Sequence, residues 1–177
     1  LSGIVTGINP GTVAINYTTP TGCVATMMVT VHPNPSAIGG ITSVCVGSTT
    51  VLSNALPGGT WTSSNTAAAT INVSTGVVTG VAAGNTVITY TTTGGCFVVT
   101  TVTVYPLPAA ITGIPSVCVG STITLSDATT PGVWSSINPT IATAGATTGI
   151  ITGITAGIAT IRFTTPAGCF ATMAVTV

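Results

Sequence analysis

Apolar and polar residues alternate along most of the chain, as in β-strands with one buried and one solvated face. Between 169 and 177, every second residue from Ala171 to Val177 is apolar. Between 159 and 165, the same alternation places Ile161 inward and Arg162 outward, in water. Val, Ile and Thr dominate these segments, and none combines a 3.6-residue period with helix-forming residues. The pattern predicts an all-β protein.

Turn residues divide this pattern into short strands, as in β-sandwiches, where turns recur about every 8–12 residues. In the second half of the chain the predicted strands lie near 110–113, 117–119, 122–126, 132–136, 141–144, 149–154, 159–165 and 169–177. The first half repeats the same strands 73 residues earlier.

This repeat is strict. The segment SVCVGSTTVLSNALPGGTW at 43–61 returns as SVCVGSTITLSDATTPGVW at 116–134. Without any gap, 35 of the 68 residues at 37–104 are identical to those at 110–177. A fixed period of this kind defines a tandem-repeat architecture. The predicted units are 1–33, 37–105 and 110–177, joined by linkers at 33–36 and 106–109.

The first unit is incomplete, because residues 1–33 match only the last three strands of the repeat. A three-stranded fragment has no second sheet to cover its apolar face, so we expect complementary strands from elsewhere in a longer protein or from another copy. The linkers contain Pro-Asn-Pro and Pro-Leu-Pro, and this spacing favours an extended, stiff connector. Consecutive units should therefore touch end to end.

The inward positions of the strands predict the core. Two tryptophans at equivalent positions should lie at the centre of the two whole units and pack against aliphatic residues. The predicted core residues are Trp61, Trp134, Leu52, Leu125, Ile88 and Ile161.

The charge content is extreme. Only 1% of the residues are charged, whereas 45% are apolar. One arginine cannot neutralise a phosphate backbone, so nucleic-acid binding is excluded. No apolar run reaches the roughly 18 residues of a membrane-spanning helix, so we expect no membrane insertion. Uncharged surfaces favour association, and the expected partners are further repeats or copies of the same protein.

The sequence contains no candidate catalytic or metal-binding group of residues. There is no pair of carboxylates, and His32, the only histidine, lies beside a linker and is replaced by Tyr105 in the next unit. Asp127 alone cannot supply a calcium site. We therefore expect no enzyme activity, no metal and no cofactor.

The order VGST…L…W-[ST]-S…AT…TG-[VI]-[VI]-TG…AG…VTV resembles the bacterial immunoglobulin-like domain, group 2. This resemblance covers both whole units and the terminal fragment. It implies tandem immunoglobulin-like Greek-key β-sandwiches with a 73-residue repeat, of the kind found in intimin- and invasin-type adhesins and giant repetitive surface proteins. Such domains serve as rods or stalks, and sometimes as binding tips, at the bacterial cell surface.

Five periodic cysteines indicate disulfides formed in an oxidising compartment, with buried free thiols as the alternative. Two pairings are open. Within one unit, Cys45 would pair with Cys96, and Cys118 with Cys169. In an immunoglobulin-like sandwich, however, the two cysteines of a unit should lie at opposite ends, roughly 20 Å apart along the last strand. This favours a staple between consecutive units, Cys45 with Cys169, whereas Cys118, Cys96 and Cys23 would bond to neighbouring repeats.

Two functions fit these features. The first is a structural segment of a long repetitive extracellular protein that forms a filament, stalk or sheath. The alternative is an adhesin module that binds a surface or carbohydrate ligand through its end loops. A binding unit should differ from its structural copies in one loop. The two whole units differ little, which favours the structural function.

Overall fold

The computed structural model describes residues 3–177, so Leu1 and Ser2 of the predicted 1–33 unit lie outside the described residues. Its regular elements are all strands. They are β1 (Gly11–Thr18), β2 (Val24–Val31), β3 (Gly39–Gly40), β4 (Ser43–Cys45), β5 (Thr49–Ser53), β6 (Thr60–Ser63), β7 (Ala69–Ile71), β8 (Val77–Gly80), β9 (Gly84–Thr91), β10 (Phe97–Tyr105), β11 (Thr122–Thr124), β12 (Val133–Ser136), β13 (Ala142–Ala144), β14 (Ile150–Gly153), β15 (Ile158–Thr164) and β16 (Phe170–Thr176).

Strands β3 to β10 form the first sandwich. One sheet has the order β4-β10-β9-β6 and the other the order β3-β5-β8-β7. Strand β4 pairs in parallel with β10, and the remaining neighbours are antiparallel. Two four-stranded sheets in this order form an immunoglobulin-like Greek-key sandwich. The predicted all-β tandem immunoglobulin-like fold is confirmed.

Strands β11 to β16 form the second sandwich, with sheets β12-β15-β16 and β11-β14-β13. The strands predicted near 110–113 and 117–119 are reduced to isolated bridges, such as Thr112 with Ser126 and Ser116 with Thr176. Pro115 stands where the first sandwich has Thr42, and both residues accept a backbone hydrogen bond at their carbonyl oxygen, Thr42 from Thr103 and Pro115 from Thr176 (2.9 Å each). This edge of the second sandwich thus keeps the equivalent bond but is less regular than that of the first.

Each sandwich has its own hydrophobic core, with a tryptophan against an aromatic ring. Trp61 lies 4.6 Å from Tyr90 between ring centroids, and Trp134 lies 4.9 Å from Phe163. The structure buries all six residues for which the sequence predicts a core position. The two cores are separate, so each sandwich has an independent source of stability.

The first unit is a hairpin, β1 with β2, and residues 3–7, predicted as a third strand, form no strand. In the first sandwich the equivalent strand β8 is held by hydrogen bonds to β5 and β7. The described residues contain no equivalents of those two partners for the first unit, and a strand without a partner leaves its backbone groups unpaired. Gly7 still lies against Val31, as Gly80 lies against Val104.

The apolar face of this hairpin is exposed. Tyr17 is 64% exposed, whereas its equivalent Tyr90 is 4% exposed in the core of the first sandwich. Within residues 3–177, the complementary strands expected for this fragment are not present.

In the same range, no helix is long and apolar enough to span a membrane.

Candidate interaction site at the junction of the sandwiches

Cys45 lies at the end of the first sandwich that faces the second. It is the last residue of β4 and pairs in parallel with Tyr105, the last residue of β10. The chain then turns back, with a hydrogen bond from the Ser48 N–H to the Cys45 carbonyl (3.0 Å). Gly47 occupies this turn at a φ of +78°, a conformation that favours glycine. The turn thus places Cys45 beside Tyr105, where the chain leaves the first sandwich.

Cys169 lies at the facing end of the second sandwich, immediately before β16. The turn between β15 and β16 is closed by hydrogen bonds from the Gly168 N–H to the Thr165 carbonyl and from the Thr165 N–H to the Cys169 carbonyl, both 2.9 Å. The Thr165 hydroxyl also donates to the Cys169 carbonyl (3.1 Å). These bonds hold Cys169 in one orientation, and it is 1% exposed.

The two side chains form a disulfide bond. Their sulfur atoms are 2.00 Å apart, their Cα atoms are 5.6 Å apart, and 124 residues separate them in sequence. The sandwiches are therefore connected twice, by the backbone linker and by this bond. Two connections at different points restrict rotation of one sandwich relative to the other.

Leu107, the middle residue of Pro-Leu-Pro, lies beside the disulfide. A cavity of about 340 Å³ separates the turn of the first sandwich from the start of β16. It is lined by Cys45, Val46, Gly47, Ser48, Leu107, Cys169 and Phe170. Apolar side chains therefore line the space beside the covalent bond, and Leu107 remains 51% exposed there.

A second contact recurs at both junctions. A residue at the end of the last strand of one unit lies between two loops of the next. Tyr105, the last residue of β10, lies near Thr129 and Pro166, and His32, immediately after β2, lies near Leu56 and Thr93. These residues correspond at the 73-residue step. His32 packs closely on the backbone of the next unit, because a Cβ added at Gly94 would lie 2.2 Å from its Cγ. The hairpin is therefore joined to the first sandwich through a similar contact.

Polar contacts fix the linkers to the loop after strand β5 or β11. The Asn54 side-chain N–H donates to the Ser36 carbonyl (2.7 Å), and its Oδ1 accepts from the Leu56 N–H (3.0 Å). Asp127 replaces asparagine at the second junction, where its Oδ1 accepts from the Thr129 N–H (2.7 Å). Its Oδ2 is buried and has no hydrogen-bond partner within residues 3–177. The second linker therefore lacks the side-chain donor that the first one has.

We expect Asp127→Asn to stabilise the second sandwich by about 1–2 kcal/mol, since an unsatisfied buried polar atom costs about 1–3 kcal/mol. The new amide would donate to the Ala109 carbonyl, the equivalent of Ser36. Urea denaturation measures the change. The reciprocal variant Asn54→Asp should destabilise the first sandwich by a similar amount. A neutral or destabilising Asp127→Asn contradicts this assignment.

The other three cysteines are free. Cys118 is exposed at the position equivalent to Cys45, and Cys23 is exposed and Cys96 half-buried at positions equivalent to Cys169. The two cysteines of one unit, such as Cys45 and Cys96, are not bonded to each other. The structure thus contains one bond between units and leaves both outer ends of the pair with a thiol.

The other titratable side chains of the described residues do not line the cavity beside the disulfide. Among residues 3–177, no three His, Cys, Asp or Glu side chains lie close enough to share a metal ion. Arg162 is on the outer face but half-buried, with its guanidinium 4.2 Å from the centre of the Phe170 ring, so it is less solvated than the alternation predicts. Alternation identifies the face of a strand, and it carries no information on this cross-strand contact.

The junction residues other than the cysteines were not evident from the sequence. Leu107 could have been found as the one apolar side chain between the prolines of the second linker. Asn54 and Asp127 occupy one position of the repeat, and that difference is the only signal for their roles.

In comparisons with known proteins, residues 24–97 match the family described as Bacterial Ig-like domain (group 2), which confirms the resemblance over that segment. The matched segment includes β2 of the hairpin and ends at the start of β10, so it is shifted relative to the first sandwich. No curated protein matches the chain in sequence.

Several solved structures resemble the chain weakly. The C-terminal 282-residue fragment of intimin, in complex with the intimin-binding domain of the translocated intimin receptor, has a TM-score of 0.49 and 15% identity and covers 82% of this chain and 64% of its own. Domains 4 and 5 of the S-layer protein SbsC have a TM-score of 0.41 and 16% identity, and the match covers 82% of this chain and 99% of theirs. The human desmocollin-1 ectodomain has a TM-score of 0.32 and 14% identity and covers 90% and 40%.

Proposed function

Because residues 24–97 carry a bacterial Ig-like domain of group 2 within a strict tandem repeat, we propose that the chain is a structural segment of a long extracellular filament, stalk or sheath at the bacterial cell surface. Its units are the three given by the repeat, at 1–33, 37–105 and 110–177. Domains of this family act as structural or adhesive modules, so we propose no enzymatic role.

The disulfide between Cys45 and Cys169 is the observation that carries this proposal. It joins successive units, whereas a bond within one sandwich would stabilise only that sandwich. A short proline-containing linker is stiff, and a second covalent connection removes most of its remaining freedom. The result is a rigid joint that requires no calcium and no charged residues.

The surface of the sandwiches supports association of such rods. Large apolar residues lie exposed on the outer faces, including Val99 (51%) and Val133 (53%). A net charge of zero provides no electrostatic repulsion between copies. These surfaces favour contact between neighbouring filaments or with further copies of the chain.

The adhesin alternative has less support. Each sandwich has an open groove beside its tryptophan, of about 350 Å³ near Trp61 and about 370 Å³ near Trp134. Most lining positions correspond at the 73-residue step, and half of those carry the same residue in both grooves; the differences are Asn54 to Asp127, Pro57 to Thr130, Gly58 to Pro131, Ser74 to Thr147 and Tyr90 to Phe163. A dedicated binding tip should differ from its neighbours. Two equivalent grooves are the consequence of repetition.

Small-angle X-ray scattering of the oxidised 177-residue chain tests this proposal. Each sandwich should extend the long axis by about 30 Å, because strand β10 has nine residues at about 3.3 Å each. We expect the scattering of a stiff rod, and fibres or sheets in electron micrographs of concentrated protein. A compact particle that stays monomeric at high concentration would overturn the proposal.

A further inference from the structure

We infer that Cys118 and Cys96 mark two different docking surfaces, each of which binds a further copy of the 73-residue unit and is then sealed by a disulfide. This inference rests on the proposed structural function and names the partner and the residues of the joint. The chain contains the same positions in a joined and in an unjoined state, and comparison of the two reveals what docking buries.

The surface that receives a following unit is the turn around Cys118. At the observed junction the equivalent turn faces the second sandwich: Cys45 is bonded to Cys169, and Val46 is half-buried, packed on the core of its own sandwich and lining the same cavity as Leu107 and Phe170. In the second sandwich, Cys118 is exposed and Val119 is 58% exposed. Before docking, this surface thus presents the apolar side chain of Val119 beside the accessible thiol of Cys118.

The surface that receives a preceding unit is the start of β10. At the observed junction the equivalent Cys169 is 1% exposed, and Phe170, which Arg162 also covers, is 47% exposed. In the first sandwich Cys96 is half-buried and Phe97 is 66% exposed. Cys23 and Val24 occupy the same positions in the hairpin and are exposed. Each free cysteine therefore lies at a position whose equivalent is bonded elsewhere in the chain.

The two surfaces are different, so each junction is heterologous. The turn that contains Cys45 in one unit contacts the start of the last strand, β16, in the next unit. The two contacting surfaces are therefore formed by different parts of the repeat. Heterologous contacts that do not close into a ring generate open linear assemblies. Units of this kind therefore add in one direction and give a filament with two distinct ends.

Each new bond requires an oxidant. Two thiols lose two protons and two electrons and form one S–S bond, and the disulfide of a thiol-oxidising exchange catalyst accepts the electrons and becomes a dithiol. Extracellular and periplasmic compartments provide such catalysts. Docking first places the sulfurs within bonding distance, since a disulfide tolerates Cα separations of at most about 7 Å.

A lengthened chain tests this inference directly. A second copy of residues 105–177, appended after Val177, restores the register of the repeat and supplies the unit that would follow Cys118. A Thr172→Ser change in the appended copy labels its peptides by mass, and Thr172 is exposed, so the change leaves the fold intact. After expression in an oxidising compartment, non-reducing peptide mapping should join Cys118 to the Cys169 of the labelled copy. The bond between Cys45 and the original Cys169 should be retained.

The matched control is the same lengthened chain in which the original Cys118, and not the appended one, is replaced by serine (Cys118→Ser). In this control the Cys169 of the labelled copy should become accessible to alkylation. A bond between Cys118 and the Cys169 of its own unit, or a free Cys118 beside an intact Cys45–Cys169 bond, would overturn the inference. Scattering of the unmodified chain tests the proposed function separately. If the unmodified chain scatters as a stiff rod but Cys118 stays free in the lengthened protein, the docking surface at Cys118 is refuted and the proposed structural function is not.

Discussion

Replacing Cys45 and Cys169 together with serine should convert a rigid pair of sandwiches into two domains on a hinge. The disulfide closes a loop of 124 residues. In the chain-entropy model, a disulfide that closes a loop of about 100 residues stabilises the folded protein by about 4–5 kcal/mol. Because the bond constrains the unfolded chain, we expect the melting temperature to fall when it is removed. The scattering curve should broaden towards bent conformations, because only the linker then connects the units.

Cys118→Ser is the matched control for this experiment. It changes the same position of the repeat in the next unit, where the thiol is exposed and unbonded within the described chain. Its melting temperature and scattering should equal those of the parent. If the double variant also kept the parent's scattering curve, the non-covalent contacts around Leu107 and Tyr105 would suffice for rigidity, and the disulfide would not fix the joint.

Most strands of the second sandwich were predictable because the repeat supplies an internal check. The predicted strands at 159–165 and 169–177 alternate cleanly, and the same alternation recurs 73 residues earlier with several different side chains. A pattern that persists through substitution reflects the buried face and not a chance composition. The structure has strands at Ile158–Thr164 and Phe170–Thr176, within one residue of those positions.

The features that escaped sequence analysis depend on contacts between distant segments. Residues 3–7 have the composition of a strand, but a strand forms only where a neighbour accepts its hydrogen bonds. Nothing in the local sequence shows that Leu107 lies beside Cys45, because this contact depends on how two sandwiches meet. The cysteine pairing was open for the same reason. It depends on the end of the sandwich at which each turn lies.

The disulfide provides a connection between the sandwiches that needs no charged residue. Many extracellular modules are stiffened by carboxylates that bind calcium between domains, and this chain has only one acidic residue, Asp127. A covalent bond rigidifies a junction without any charged ligand. Its surface can then remain uncharged and available for contact with other copies.

Gly149→Ala should destabilise the second sandwich strongly. Gly149 has a φ of +69°, and a Cβ added there would lie 2.3 Å from the Leu125 carbonyl oxygen and 3.2 Å from Cε2 of Trp134. Overpacking in a core costs about 1–3 kcal/mol, and a left-handed conformation costs a non-glycine residue about 1–2 kcal/mol. We therefore expect a loss of about 2–5 kcal/mol, measured by urea denaturation with Trp134 fluorescence as the probe.

Gly120→Ala separates the two contributions to this loss. Gly120 has a similar φ of +79°, but no atom lies within 4 Å of an added Cβ. Its substitution should cost only the conformational term, about 1–2 kcal/mol. Gly76→Ala should reproduce the large loss in the first sandwich, because the added Cβ would lie 2.4 Å from the Leu52 carbonyl oxygen. Equal losses for Gly149→Ala and Gly120→Ala would show that backbone conformation alone, and not the contact with Leu125 and Trp134, requires glycine at this turn.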